Sequence, residues 1–463
     1  MSISRIIIVI CSISISAALW FACGGNADKT EEMKDKPVTL MNVDPGHFHA
    51  ALVQKDMYPE VSETVYVYAP DGPEVDNHLG AIEGYNTRPE RPTSWNEKVY
   101  RGSDFFEKML SEKPGNVMIV SGNNAKKTNY IHRAVSEGIN VLADKPMVIS
   151  PDHFPLLVEA FDIAKGKGVL LYDIMTERFE VTTGLQKSLS QMPEVFGALE
   201  VGTLEDPAIT KESVHHYSKM VSGKPLKRPA WFFDVAQQGE GIVDVTTHLV
   251  DLVFWECYPS VVLDYQKDIE LASARRWPTE INPAQFEKVT QLSSFPDYLQ
   301  PYVVRDSILE VYANGEIVFK VKDTYAKVSV IWNYEAPPGA KDTHYSIMRG
   351  TTANLVIRQG KDQGYQATLY VEPHGEKAEL KPALQDAIKR LSATYTGLSF
   401  VDTEQGWEIK IPATYKVGHE AHFAQVTDRY LEYLEAGKMP AWEVPNMIAK
   451  YYVTTEGYKL AKK

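Results

Sequence analysis

Residues 117–146 read VMIVSGNNAKKTNYIHRAVSEGINVLADKP. The opening VMIVS at 117–121 is an apolar run of strand length. Gly122-Asn123-Asn124 then leads into a helical pattern over 125–137, which Gly138 stops. A second apolar run, INVLA at 139–143, follows and is closed by Asp144-Lys145-Pro146. Strands alternating with helices at this spacing predict a parallel sheet with helices on its faces. Ligands of such sheets bind beyond the carboxyl ends of the strands. Asn123, Asn124, Asp144 and Lys145 therefore sit where chemistry is expected.

The same pattern extends in both directions. Residues 38–44 (VTLMNVD) predict a first strand, followed by the turn Pro45-Gly46 and a helix-like run from His47 to Lys55. Residues 64–68 (TVYVY) predict another strand, ended by Pro70-Asp71-Gly72. Residues 75–102 are rich in Asn, Pro, Arg and Gly and read as a long irregular cover. A helix at 151–166 and a strand at 169–172 come next. From about 195 the pattern changes to β segments at 195–203, 307–322, 325–334, 343–349, 353–358 and 365–372. Helices are expected at 241–256 and 380–393, and a final one at 418–436, stopped by Gly437 and Pro440. The expected fold is α/β followed by α+β. A Rossmann-like domain covers 38–150, and a domain on an open, largely antiparallel sheet covers 151–463.

The chain has 463 residues with 48 Lys+Arg against 61 Asp+Glu, a net charge of −13. An acidic balance without a basic block argues against a nucleic-acid partner. Residues 1–22 have a signal-peptide layout, with Arg5 before an apolar run that ends at Ala22. Cys23 stands where a bacterial lipoprotein would be cut and acylated, although Trp20 and Phe21 depart from the usual lipobox. Residues 23–37 read as a flexible tether. An exported protein is expected, periplasmic or an outer-membrane lipoprotein, touching the membrane only through its anchor. Of three cysteines only Cys257 lies in the body, so no disulfide framework is expected there.

A second chemical stretch is Gly239-Glu240-Gly241-Ile242-Val243-Asp244-Val245-Thr246-Thr247-His248-Leu249-Val250-Asp251. Asp244, His248 and Asp251 are spaced i, i+4, i+7 and would share one helical face. His248 is a candidate base, with Asp244 placed to orient and tune it. Lys145, fixed at a strand end, can polarise a reacting oxygen. The bland alternative is that Asp244 and His248 merely cap and pair inside a helix.

Together, Asp144-Lys145-Pro146 and the glycine-rich stretch resemble the glucose-fructose oxidoreductase / inositol dehydrogenase / rhizopine-catabolism (Gfo/Idh/MocA) family. The resemblance extends to Arg178-Phe179, Trp231 and the helix near His422. It implies an NAD(P)-dependent sugar oxidoreductase, with Lys145, Asp244 and His248 catalytic. It implies that Asn123 and Asn124 contact the nicotinamide-side ribose and that Lys145 can bridge to it. Arg178, Trp231, Thr247 and His248 would face a small carbohydrate substrate. Dimers or tetramers paired through sheet faces are usual for that family.

The dinucleotide turn departs from G-x-G-x-x-G. Asp44-Pro45-Gly46-His47-Phe48-His49 retains only the middle glycine. Backbone N–H groups of Gly46, His47 and Phe48 could still bind phosphate, aided by a protonated His47. A Rossmann domain that has lost its cofactor is the alternative. Asp71 is a candidate acceptor for ribose hydroxyls, which favours NAD, with NADP possible; no Arg follows it closely. An exported enzyme would have to hold the cofactor tightly, with 75–102 closing over it. His215-His216, His344 and His419/His422 lack supporting ligands at suitable spacing, so no metal is expected. Trp231-Phe232-Phe233 would stack on a sugar or pack in the core. Redox-neutral glycoside cleavage by elimination and a non-catalytic glycan-binding role remain the rival functions.

Overall fold

A computed structural model describes residues 38–463, less 222–223 and 306. The expected signal peptide, the tether and Cys23 lie outside the described residues. The first sheet has six parallel strands: β1 (Leu40–Val43), β2 (Thr64–Ala69), β3 (Asn96–Arg101), β4 (Val117–Val120), β5 (Asn140–Asp144) and β6 (Leu171–Ile174). Their order is β3-β2-β1-β4-β5-β6, so the chain starts in the middle and reverses direction between β1 and β4. The crossovers carry α1 (His49–Leu52), α2 (Pro73–Thr87), α3 (Phe105–Glu112), α4 (Asn124–Ser136) and α5 (Phe154–Lys167). β1, β4 and β6 are buried at every position, as strands covered on both faces must be.

Two expectations fail in this half. Residues 75–102 are not an irregular cover: they supply most of α2 and all of β3. α2 buries only Val75, His78 and Ile82, so its apolar face is thin. β3 is the edge strand, mostly exposed and carrying Lys98 and Arg101, as edges commonly are. The first sheet also continues past residue 150, taking β6 as its last strand.

The remainder holds α6 (Val181–Ser190), α7 (Pro193–Phe196), β7 (Ile209–Ser218), the short pair β8 (Met220–Val221) and β9 (Lys224–Pro225), α8 (Val235–Gln238) and α9 (Thr246–Cys257). Next come β10 (Ile269–Ile281), α10 (Pro283–Thr290), β11 (Val303–Val304), β12 (Ile308–Val321), β13 (Thr324–Glu335), β14 (Thr343–Arg349), β15 (Ala353–Gln359) and β16 (Thr368–Pro373). The chain ends with α11 (Lys377–Leu391), β17 (Ser399–Asp402), β18 (Trp407–Lys410), α12 (His419–Ala436) and α13 (Glu443–Ala461). The large sheet runs β10-β12-β13-β7-β14-β15-β16-β18-β17, with β11 beside β12. It is antiparallel except where β7 meets β13. The expected strand at 195–203 is instead α7 and isolated bridges at Leu199 and Gly202.

α12 is not the final helix. α13 follows it, and both pack into the core of the first sheet through Phe423, Val426, Tyr430, Met447 and Tyr451. α9 begins at Thr246 rather than 241. Residues 241–245 form a turn pressed onto β12: a Cβ on Gly241 would lie 1.7 Å from the Ala313 carbonyl oxygen. That contact fixes the turn carrying Asp244.

Candidate active site

The carboxyl ends of β1, β4 and β5 converge. Asp44 takes φ +46°, the left-handed conformation that a glycine would normally supply at this turn. Aspartate is among the side chains that tolerate it. Gly122 lets the turns touch, since a Cβ there would lie 2.3 Å from the Asp44 carbonyl oxygen. The Gly46 N–H donates to the Asp44 carbonyl (2.7 Å) and the His47 N–H to the Ser121 carbonyl (3.2 Å). Two of the three amides expected to cradle a phosphate are thus already engaged. α1 has only four residues and adds little dipole. His47 is neutral rather than protonated: burial, then His49, push its pKa well below the usual value.

Beside this turn lies an open cleft of about 570 Å³, lined by Asp44, Gly46, Pro70, Lys126, Trp231 and Gln237 among others. Asn123 also lines it, donating to Gln237 Oε1 (2.9 Å) while capping α4 through Ala125 N–H. Burial raises the Asp44 pKa, and Lys126, 3.8 Å away, and Tyr130 partly offset that. Asn124 is not free for a ribose. It is buried, donating to the Gln238 carbonyl (2.7 Å) and accepting from Lys127 Nζ (2.7 Å). Phe48 is 62% exposed. The Asp71 side chain is 81% exposed and pairs with Arg101 at 3.0 Å. No Arg is near Asp71 in sequence, but the Ala69↔Arg101 pairing of β2 with β3 brings one to it.

Deeper in, Lys145 Nζ donates to Asp244 Oδ1 at 2.7 Å. The other Asp244 oxygen accepts from Gln238 Nε2 at 3.0 Å. The expected Asp244–His248 partnership is therefore corrected: Asp244 holds Lys145. His248 is part-buried and its Nδ1 has no partner among the described residues. Burial, then Lys145, lower its pKa to about 3, against a pull upward from Glu177. The imidazole is neutral at pH 7.

Glu177 is the residue sequence reasoning missed. It lies in the 3₁₀ turn Thr176–Phe179 after β6. Burial opposes its charge, but His419, 3.7 Å away, and the fields of His248 and His344 hold its pKa far below the usual range. Burial, then Lys211, lower His344 to about 4. The sequence signal was Arg178-Phe179, one position off.

Arg178 faces the other way. Its Nε and Nη2 donate to Asp251 (2.7 Å each) and Nη1 to Glu443 (3.0 Å). Lys450 bridges Asp251 (2.9 Å) and Asp173 (2.7 Å). Arg178 and Asp251 belong to this sealed network and not to a substrate pocket. Thr247 is likewise buried, its hydroxyl donating to the Val243 carbonyl at 2.9 Å. Trp231 borders the open cleft beside Asp44. Phe232 and Phe233 pack with Tyr217 and Trp332.

The structure also gathers His47, His49 and Asp144. Asp144 Oδ2 lies 3.0 Å from His49 Nδ1, 3.8 Å from His47 Nδ1 and 2.8 Å from Ser121 Oγ. Burial opposes the Asp144 charge, but His49 and Lys127 outweigh it and hold its pKa well down. Lys127 donates to the Asp144 carbonyl at 2.8 Å, and burial lowers its pKa to about 8.

Residues 185–462 match a family model described as "Putative oxidoreductase C terminal domain". No curated protein matches the chain. Among solved structures, one described as a putative oxidoreductase from Parabacteroides merdae ATCC 43184 is 57% identical, with TM-score 0.90 over 92% of this chain and 98% of that one. KijD10, a 3-ketoreductase from Actinomadura kijaniata solved with NADP and TDP-benzene, is 12% identical, with TM-score 0.53 over 89% and 95%. Biliverdin reductase from Synechocystis sp. PCC 6803, solved with biliverdin and NADP+, is 11% identical, with TM-score 0.55 over 92% and 100%. The last two likenesses are of fold.

Proposed function

Because the chain belongs to the oxidoreductase C-terminal domain family, with Gfo/Idh/MocA-type structural relatives, we propose that it is an NAD(P)-dependent oxidoreductase of a sugar or glycoside hydroxyl. The observation that carries this reading is the Lys145–Asp244 pair. It joins the end of β5 to the turn before α9 and lies close enough to His248 for the ammonium to lower the imidazole pKa.

A dinucleotide fits the residues present. Asp44 reproduces the conformation of the first glycine, the cleft is open, and Lys126 offers a cation beside it. Gly46, Asn123 and Trp231 would line the bound molecule, and Asp71 with Arg101 would meet the adenosine ribose. Held there, a nicotinamide would supply the hydride acceptor. Lys145, held by Asp244, donates to the reacting oxygen and favours negative charge on it. His248 offers a neutral lone pair to the hydroxyl proton, and Glu177 supports the charge that forms.

Export, acylation at Cys23, tight cofactor retention and a homo-oligomer are parts of the same proposal, argued from the sequence. Redox-neutral cleavage by elimination would use the same first oxidation. The blocked amides at Gly46 and His47 favour a second reading, a glycan-binding protein without nucleotide. Denaturing purified protein and recording released nucleotide absorbance separates the two. Released nucleotide, with glycoside-dependent absorbance change at the reduced-nicotinamide band, supports the enzyme. No nucleotide bound or binding overturns it.

A further inference from the structure

We propose that His47, His49 and Asp144 form a binding site for one first-row divalent metal ion, independent of any nucleotide. The two histidines are spaced i, i+2 across the turn after β1, and Asp144 ends β5. The nitrogens and the carboxylate oxygen they offer all lie within 4.8 Å of one another. Bonds of about 2.0–2.2 Å need ligand atoms within roughly 4.4 Å of each other, and the separations of Asp144 Oδ2 from His49 Nδ1 (3.0 Å) and His47 Nδ1 (3.8 Å) meet that. Two imidazoles and one carboxylate are a donor set for zinc and its neighbours rather than for calcium or magnesium.

The site is built, not a chance surface grouping. Side-chain exposure is 6% for Asp144, 11% for His49 and 22% for His47, so the carboxylate is inside and an ion can enter past His47. The two imidazole rings stand edge to face with centroids 4.1 Å apart. His49 packs against Phe423 (4.6 Å) and lies 5.5 Å from His419, which fixes its ring. Ser121 Oγ donates to the same Asp144 oxygen at 2.8 Å. Such outer contacts orient ligands and tune affinity. The His49 N–H approaches His47 Nδ1 only at 3.3 Å, a weak engagement of that lone pair.

Two lysines lie nearby and would repel a cation, but both are committed. Lys145 is paired with Asp244, and Lys127 is bound by the Asp144 carbonyl and Asn124 Oδ1. An ion here would clip the turn that borders the cleft to the end of β5, 95 residues away. It would replace a long His47–Asp144 contact with bonds.

The test uses the full chain, stripped by chelator and free of added nucleotide. Cobalt(II) is titrated with visible absorption as the readout, and zinc with elemental analysis. One ion per chain is expected, with ligand-field bands of a low-symmetry cobalt site. His49→Ala and Asp144→Asn should weaken binding by roughly tenfold or more. His215→Ala, beside the unrelated Asp342, should not. If His49→Ala does not fold, His47→Gln, nearer the surface, carries the comparison, with circular dichroism verifying its fold. Absence of cobalt bands, or equal binding by wild type and folded variants, overturns the site whatever the nucleotide result.

Discussion

Asp244 and Asp251 are one stretch of sequence apart, yet they serve two ion networks of opposite character. Around Asp251 the charges are shut away from solvent: Arg178 spends Nε, Nη1 and Nη2 on two carboxylates, Lys450 joins Asp251 Oδ1 to Asp173 Oδ2, and every one of these side chains is 6% exposed or less. Around Asp244 the carboxylate is saturated, but the Lys145 ammonium makes its one described hydrogen bond to it. An ammonium has three protons to donate, so Lys145 keeps capacity for a reacting oxygen. The sealed network can only hold structure; the open one can also bind and polarise. The difference lies in whether leftover hydrogen-bonding capacity can be reached, Lys145 being 11% exposed and Lys450 0%, which residue type and spacing do not reveal.

The sealed side gives the largest stability effect. Arg178→Met leaves Asp251 and Glu443 buried without that cation, and removing one partner of a buried pair costs about 3–5 kcal/mol. Urea unfolding should show a loss of that size. Catalysis per folded molecule should stay within severalfold at low temperature. A loss below about 1 kcal/mol would mean the network contributes little, and the contrast would collapse.

Lys145→Ala inverts the ranking. Turnover should fall about a hundredfold or more, the range for removing one donor to a developing oxyanion. The unfolding midpoint should move less than in Arg178→Met, because Gln238 still donates to Asp244. Unchanged turnover would remove Lys145 from the chemistry. A stability loss equal to that of Arg178→Met would make its pair structural as well.

Acid should strike the open side first. Burial is the leading cause in lowering His248 to about 3 and His344 to about 4, and His78 is also lowered to about 4 by burial. In the unfolded chain they protonate near 6.5. Between about pH 6.5 and 4 the unfolded state therefore binds more protons, and stability falls as pH falls. The expected loss is on the order of 3 kcal/mol for each fully buried imidazole between pH 7 and 4, several kcal/mol together, read from urea midpoints. His78→Asn should flatten the slope. A flat profile in the wild type would show these imidazoles to be solvated.

The alternation of apolar strands with helices made the parallel sheet and the Lys145 position legible, because β1 and β4 are apolar-rich and buried throughout and β5 is buried at all but its first residue. β7 was not legible, although it is central. Its ITKESVHHYS sequence hides a buried Lys211 whose charge is met by Glu256 at 2.9 Å, a pairing 45 residues apart. α13 was obscured by Pro445 and Gly457, but a proline in the first turn does not break a helix. Arg178 was named where Glu177 faces the site, since in a 3₁₀ turn adjacent side chains diverge by about 120°. The His47–His49–Asp144 group combines short spacing with a partner on another strand, and pattern reading sees only the first half.

The smallest effect belongs to the most exposed pair. Asp71 and Arg101 meet at 3.0 Å on the rim, where Arg101 also reaches Asp76 at 2.7 Å. Exposed pairs add little to stability, so Arg101→Ala should leave the unfolding midpoint unchanged. Its value would be in selection. A guanidinium released from Asp71 can take a 2′-phosphate, whereas Asp71 accepts from a 2′-hydroxyl. Arg101→Ala should lower affinity for NADP relative to NAD by about fivefold or less, the size expected of a solvent-exposed charge pair. Asp71→Ala should shift the ratio the other way. Calorimetric titration of both nucleotides into apo variants reads this directly. A ratio that ignores both substitutions would place the adenosine end away from β2 and β3, leaving Lys145 as the anchor of the cofactor geometry.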